Sequence, residues 1–261
     1  RLGDAKLEDA LILDGLWCSF ENCHMGQTAD ETGTRFGIGR EDQDRFAVES
    51  QRRAARAIAV GEFADEIVPV TVRLRKDDKI ISADEGPRPE TDLDSLGKLR
   101  PAFGAEGTVT AGNASMLSDG AAALIVADAE TAERTPAPWK ARIVASFTSG
   151  VEPRDIFLAP IYAIRGVLDR AGLSVDDIDL FELNEAFAVQ MLACMHQLKL
   201  NPEQVNVRGG AIALGHPIGA SGARVLVTLL STLKQRGLKR GLASLCLGGG
   251  NAVAMIVERE D

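Results

Sequence analysis

One stretch of the chain, Asn206 to Gly222 (NVRGGAIALGHPIGASG), sets a histidine and a proline among Gly209, Gly210, Gly215, Gly219 and Gly222. Glycines let a backbone approach a ligand or another segment closely and adopt positive φ. Ser221-Gly222 then opens a helix, whose free N–H groups favour anionic or electron-rich neighbours. His216 lies inside this bend, and imidazole is the side chain best matched to proton transfer near neutral pH. A lone histidine is by default a buried group satisfied by carbonyls. The glycine frame shifts the reading toward catalysis.

Two further groups carry chemistry. Cys246 ends an apolar run and is followed almost at once by Gly248-Gly249-Gly250. A buried cysteine is ordinarily inert packing. At a strand end beside an exposed backbone it is better placed as a reactive thiol, and backbone N–H groups in such a turn suit an oxyanion. Asn184, in Asn184-Glu185-Ala186-Phe187, sits at a strand-to-helix junction, where a plain N-cap is the bland alternative.

Positioning these groups requires an α/β frame. Ala121–Ala127 and Ala141–Ser146 read as buried strands. Pro160–Ala171 reads as a helix closed by Gly172, with Ser174 capping the short turn that follows. Ile178–Leu183 reads as a strand and Ala186–Leu198 as a helix. Ala223–Arg236 is an amphipathic helix ending at Gly237, and Leu242–Cys246 and Val253–Val257 are strands close enough for an antiparallel hairpin. Upstream, Glu41–Val60 reads as a helix stopped by Gly61. Glu66–Arg75 is an edge strand because of Pro69, and Lys76–Pro101 is a surface excursion.

The bulk numbers fit this frame. The chain has 261 residues, 26 of them Gly, with 5% aromatics, so its core is built from Val, Ile, Leu and Ala. A formal charge of -9 without a basic patch argues against nucleic acid. No apolar run reaches membrane-spanning length. Four cysteines, Cys18, Cys23, Cys194 and Cys246, are too sparse for a disulfide scaffold, and no zinc spacing links them to a histidine, so no metal is expected. A reducing, cytoplasmic compartment is expected. The first residue, Arg1, suggests that something lies upstream.

The order of motifs resembles the thiolase family. The pattern Asn206-x-x-Gly209-Gly210-x-Ile212-Ala213-x-Gly215-His216-Pro217-x-Gly219-x-Ser221-Gly222 is similar to a thiolase signature. Asn184-Glu185-Ala186-Phe187 before it and Cys246-x-Gly248-Gly249-Gly250 after it recur there at similar spacing. His24-Met25-Gly26, Arg100-Pro101-Ala102-Phe103 and Gly107 to Ser115 also match, so the similarity runs from Arg1 to Glu260.

The resemblance implies a partial thiolase-like α/β fold: a loop domain plus one complete βαβ-type half with a mixed sheet covered by helices. It implies a CoA-binding loop domain over 1–117, a remnant of the N-terminal half over 118–137 and a C-terminal domain over 138–261. It implies Claisen condensation of acetyl-CoA or thiolytic cleavage of a 3-ketoacyl-CoA, with the thioesters as substrates, no separate cofactor, and a homodimer or homotetramer. His216 would activate a nucleophilic cysteine and hold an oxyanion with a water oriented by Asn184. Cys246 would move the α-proton, and the Gly248 N–H would serve a second oxyanion hole. Leu16, His24, Met25, Arg88 and Ser115 match positions lining CoA, and Ala186 and Phe187 flank the thioester.

Departures qualify this. The acylated cysteine of thiolases belongs to the N-terminal half, and Cys18, Cys23 and Cys194 stand in no matching context, so the chain is expected to be inactive alone. Exposure of apolar surface on the remaining half is expected with it. Met116, Ile156–Pro160 and Asn251-Ala252 differ from common relatives near the acyl pocket, and Gly39 replaces a serine cap. The alternatives are a non-catalytic CoA- or partner-binding module derived from a thiolase, and a decarboxylating ketoacyl-synthase type enzyme, which usually places histidine or asparagine where Cys246 stands.

Overall fold

The computed structural model describes residues 2–75, 77–137 and 139–260. Arg1, Lys76, Pro138 and Asp261, which bound ranges named above, lie outside the described residues. A π-helical turn, Leu11–Leu16, leads into a short antiparallel pair, β1 (Trp17–Cys18) and β2 (Cys23–His24). Two helices follow, α1 (Met25–Phe36) and α2 (Arg40–Ala59), then an exposed antiparallel pair, β3 (Val70–Arg73) and β4 (Asp78–Ile81). Next come α3 (Leu93–Gly97) and α4 (Ala129–Arg134).

The expected helix at 41–60 is α2, and Gly39 gives it no side-chain cap. The strand expected over 66–75 is confined to β3, and the excursion after it contributes β4 and α3. The strand expected at Ala121–Ala127 does not form: the segment is irregular, with Ile125 95% and Val126 76% exposed. The reason is non-local. Strand propensity is realised only beside a partner, and among the described residues none pairs with this segment. It also leaves the exposed apolar surface that the sequence suggested.

The remainder is one α/β layer set. β5 (Lys140–Gly150) is followed by a 3₁₀ turn (Pro153–Leu158), α5 (Ala159–Ala171), β6 (Leu180–Leu183) and α6 (Ala188–Leu198). Then come α7 (Ala211–Leu214), α8 (Ser221–Arg236), β7 (Arg240–Leu247) and β8 (Asn251–Glu260). The sheet order is β5-β8-β7-β6, with β6 parallel to β7 and the other neighbours antiparallel, so it is mixed. Alternation divides its side chains. Phe181, Leu183, Leu242, Ala254 and Ile256 enter the core shared with α5 and α6, while Leu180, Ala243 and Val257 pack on α8. α8 offers Val225, Leu229 and Leu233 along one stripe and stops at Gly237 in left-handed geometry.

This topology sets the location of any chemistry. α8 turns back through 237–239 into β7, so its N-terminus lies where β7 ends. β6, parallel to β7, ends at the same rim, and the Asn184 N–H donates to the Ser244 carbonyl at 3.0 Å. A buried cation braces the loop that arrives there. Arg208, its side chain 1% exposed, pairs with Glu66 at 2.6 Å and Glu62 at 3.0 Å and donates to Gln235 on α8 at 2.6 Å. Removing one partner of such a cluster strands buried charge. Arg208→Ala is expected to cost about 3–5 kcal/mol by urea unfolding. A loss under about 1 kcal/mol would show that the cluster is dispensable.

Candidate active site

His216 follows α7 in an irregular turn, its backbone N–H on the Met116 carbonyl at 3.3 Å. Its Nδ1 is 2.5 Å from Ser221 Oγ, and its Nε2 is 3.2 Å from Asn184 Nδ2. The Ser221 hydroxyl donates to the Pro217 carbonyl at 2.9 Å. A hydroxyl has one proton to give, so Ser221 Oγ must accept from Nδ1–H. The ring is then the Nδ1–H tautomer, and Nε2 presents a lone pair that accepts from the Asn184 amide. Burial, with the Arg224 charge second, lowers the His216 pKa to about 4. The ring is a neutral base at pH 7.

The linked stability effect has a definite sign. The folded pKa lies below the ordinary 6.5, so the unfolded chain binds more protons between the two. Stability from this group is complete above about 6.5 and is lost as pH falls toward 4. NMR titration of the ring is expected to give a midpoint near 4. A midpoint at the ordinary 6.5 would contradict the burial described.

Asn184 is 1% exposed. It is not the cap of α6, because that helix starts at Ala188 with Phe187 as its extended N-cap. Beyond the cap position expected from sequence, Phe187 is extended and bridged to Ala114, and the segment 113–115 holds both neighbours of Phe187. The Ser115 N–H donates to the Ala186 carbonyl at 3.1 Å, and the Ala188 N–H donates to the Asn113 carbonyl at 2.9 Å. The Asn184 side chain is thereby free to reach His216. Its Oδ1 is buried without a hydrogen-bond partner among the described residues.

Cys246 lies on β7, on the same face as Ser244 and two residues beyond it. Its thiol is free, and burial raises its pKa to about 11. The hairpin from β7 to β8 turns through Gly248-Gly249-Gly250. Imidazole, amide and thiol thus gather at one rim of the sheet. The other cysteines differ. Cys18 is buried, and Cys23 Sγ is 3.5 Å from Thr28 Oγ1. Cys194 donates to the Phe157 carbonyl at 3.5 Å, and burial raises its pKa to about 12.

The residues matched to CoA positions surround this rim unevenly. Leu16 ends the π-helical turn, in which a Cβ on Gly15 would lie 3.4 Å from Ile218. Phe20 in turn stands 3.4 Å from where a Cβ on Gly249 would be. Segment 11–20 therefore spans from the His216 loop to the glycine turn. Ser115 adjoins Met116, the acceptor of the His216 N–H. His24 caps α1, its Nδ1 accepting from the Gly26 N–H at 3.0 Å, and stacks on Phe103 at 4.6 Å between ring centroids. Phe103 meets Phe187 edge-on at 6.3 Å, and Phe187 meets Phe157 at 5.1 Å. Met25 is half-buried against the main core. Arg88 is exposed, and only its backbone is tied inward, to Gln51 Oε1 at 2.8 Å.

Among the described residues no group of three His, Cys, Asp or Glu could hold a metal ion, and no helix is long and apolar enough to cross a membrane. Sequence reasoning missed the Ser221 hydroxyl, taken only as a helix opener, and a buried cluster of Ser50, Glu185 and Asn206. The spacing of His216 and Ser221 across a single turn was the one available signal for the former.

The sequence matches two family profiles, "Thiolase, N-terminal domain" over residues 1–130 and "Thiolase, C-terminal domain" over 137–259. The acetyl-CoA acetyltransferase of Rhizobium meliloti (strain 1021) is 54% identical over 260 residues, covering 99% of this chain and 66% of that protein. That of Paracoccus denitrificans is 50% identical over 259 residues, with the same coverage of 99% and 66%.

The chain belongs to the thiolase family.

Its fold is the thiolase fold. The crystal structure of the Bacillus anthracis acetyl-CoA acetyltransferase superposes with a TM-score of 0.96 at 42% identity, covering 100% of this chain and 66% of that one. The structure of human mitochondrial 3-ketoacyl-CoA thiolase does so with a TM-score of 0.91 at 40% identity and the same coverage of 100% and 66%. This thiolase chain therefore spans 66% of the length of the relatives it matches.

Proposed function

We propose that this chain carries the proton-transfer and oxyanion-holding part of a thiolase active site, acting on CoA thioesters. The reaction is Claisen condensation of acetyl-CoA or thiolytic cleavage of a 3-ketoacyl-CoA. The observation that carries the reading is the neutral His216, its Nε2 lone pair fixed on the Asn184 amide, at the rim that also holds Cys246.

In cleavage, a nucleophilic thiol passes its proton to Nε2 and attacks the 3-keto carbon. The resulting oxyanion is held by backbone N–H groups, that of Gly248 among them. Collapse breaks the C2–C3 bond and leaves an acyl thioester on the nucleophile. The departing enolate takes the Cys246 proton, and its oxygen is held by His216 Nε2–H together with a water on Asn184. A thiol whose pKa stands near 11 is protonated at rest, as this step requires. A second CoA thiol gives its proton to the Cys246 thiolate and attacks the acyl thioester, and the released nucleophile takes back the proton held on His216 Nε2. Condensation is the reverse, with Cys246 as thiolate taking the α-proton. No metal or separate cofactor enters.

The acylated nucleophile is proposed to lie outside this chain, since none of Cys18, Cys23 and Cys194 stands in the sequence context of the family's acylated cysteine. The division into a CoA-binding loop domain (1–117), a remnant of the N-terminal half (118–137) and a C-terminal domain (138–261) belongs to the same proposal. So do Leu16, His24, Met25, Arg88, Ser115, Ala186 and Phe187 as CoA contacts and a homodimer or homotetramer, supported by the family resemblance, and a cytoplasmic location, supported by cysteines too sparse for a disulfide scaffold.

The test joins the chain to the N-terminal third of an acetyl-CoA acetyltransferase. The isolated 261-residue chain is expected to show no cleavage of acetoacetyl-CoA, and the joined protein a measurable rate. A normal rate from the isolated chain, or a folded joined protein without any, overturns the reading.

A further inference from the structure

We infer that Glu185 and Asn206 are positioning residues that set the contact between the Asn184 amide and the His216 ring. The catalytic meaning rests on the function proposed above, while the geometry does not. Asn206 Oδ1 accepts from the Leu183 N–H at 2.8 Å, and its Nδ2 donates to the Leu183 carbonyl at 2.8 Å. The side-chain amide thus acts as a strand neighbour for the last residue of β6. The same Nδ2 donates to Glu185 Oε1 at 2.9 Å. Asn184 is therefore bracketed, with the residues on either side of it fixed by one amide, and Asn206 adopts the rare φ of +45° to do this.

Glu185 carries the other half of the arrangement. Its Oε2 accepts from the Ser50 hydroxyl at 2.7 Å and from the Ile212 N–H at 3.2 Å, and Ser50 Oγ accepts from the Gly210 N–H at 3.1 Å. Gly210 and Ile212 begin α7, which runs directly into His216. One buried carboxylate thus holds the start of the His216 loop, while its neighbour in sequence reaches the ring of that histidine. Every contact Glu185 makes is as an acceptor. A glutamine of the same size would turn an N–H toward the Asn206 amide or toward the Ser50 and Ile212 donors, whichever way it was rotated. Glu182, the other buried glutamate of this strand end, has no hydrogen-bond partner at Oε2 among the described residues, so Glu182→Gln serves as control.

The experiment is nitrogen-detected NMR of His216 in the 261-residue chain, with the Asn184 side-chain amide as second reporter. Wild type and E182Q are expected to show a single Nδ1–H tautomer with Nε2 as acceptor. E185Q is expected to average the tautomers and shift the Asn184 amide. If E185Q gives no cooperative melt, S50A, which removes one of the donors, is read instead and is expected to show a partial shift. In the joined protein, E185Q is expected to lower kcat about a hundredfold with KM little changed, as for misplacement of a catalytic group by roughly 1 Å. Wild-type ring and amide signals in folded E185Q, or in S50A should E185Q not fold, overturn the inference. Because the readout is the state of the ring, averaged tautomers in E185Q alongside a folded joined protein without turnover support this inference while counting against the proposed function.

Discussion

In the joined protein, His216→Asn is expected to lower kcat/KM for acetoacetyl-CoA cleavage at least about a thousandfold, a loss of roughly 4 kcal/mol of transition-state stabilisation. The size follows from two uses of one atom. Nε2 first takes the proton of the nucleophilic thiol, and an unassisted thiol of ordinary pKa about 8.5 is mostly protonated at neutral pH. The same atom, once protonated, faces the enolate oxygen. Both uses depend on a ring that rests neutral with Nε2 unprotonated, the state that Ser221 and burial impose. Cys246→Ala is expected to cost about as much in cleavage but to spare exchange of the acyl group between acetyl-CoA and free CoA, because that half-reaction moves no α-proton. If His216→Asn left acyl exchange intact, or Cys246→Ala abolished it, the roles assigned to the two residues would have to be changed.

Gly209→Ala is expected to destabilise the fold by about 4 kcal/mol, measured by urea unfolding, because two costs add. Gly209 has φ +74°, a region that costs an L-residue about 1–2 kcal/mol. Its Cβ would also stand 2.4 Å from the Ser50 carbonyl oxygen and 2.9 Å from the Ala54 nitrogen. These are backbone atoms of α2, which cannot rotate aside, and such overpacking costs typically about 1–3 kcal/mol more. The sum is a large part of the roughly 5–15 kcal/mol that holds a domain together. Gly219→Ala is the control. No atom lies within 4 Å of its added Cβ, and a change within about 0.5 kcal/mol is expected. Equal effects at the two positions would show that close approach to α2 is not what the glycine secures.

What the sequence made legible was what is written locally. α5 with its Gly172 cap, α8 with Gly237, and the β7–β8 hairpin all follow from periodicity and turn residues within single windows. The His216 loop announced itself through glycine spacing. Failures came where a distant segment decided the outcome. Ala121–Ala127 has strand composition and no strand beside it. Ala186 and Phe187 read as helix and are held out of it by residues 113–115, far upstream. The Ser50–Glu185–Asn206 cluster joins three places in the chain, and nothing near any one of them betrays the other two. Asn184 could be found as a candidate, yet choosing between a cap and a partner for His216 required knowing where α6 begins.

The turn beside Cys246 also limits how the mouth of this rim can diversify. A side chain at Gly250 would meet the Val151 carbonyl oxygen at 2.4 Å, and both Gly249 and Gly250 have positive φ. That wall is frozen as bare backbone. Any drift in the size or shape of what the rim admits must be carried by the opposite bank, the stretch from Leu11 to Phe20 and the tip at Ile218, so lineages that differ in selectivity should differ there first.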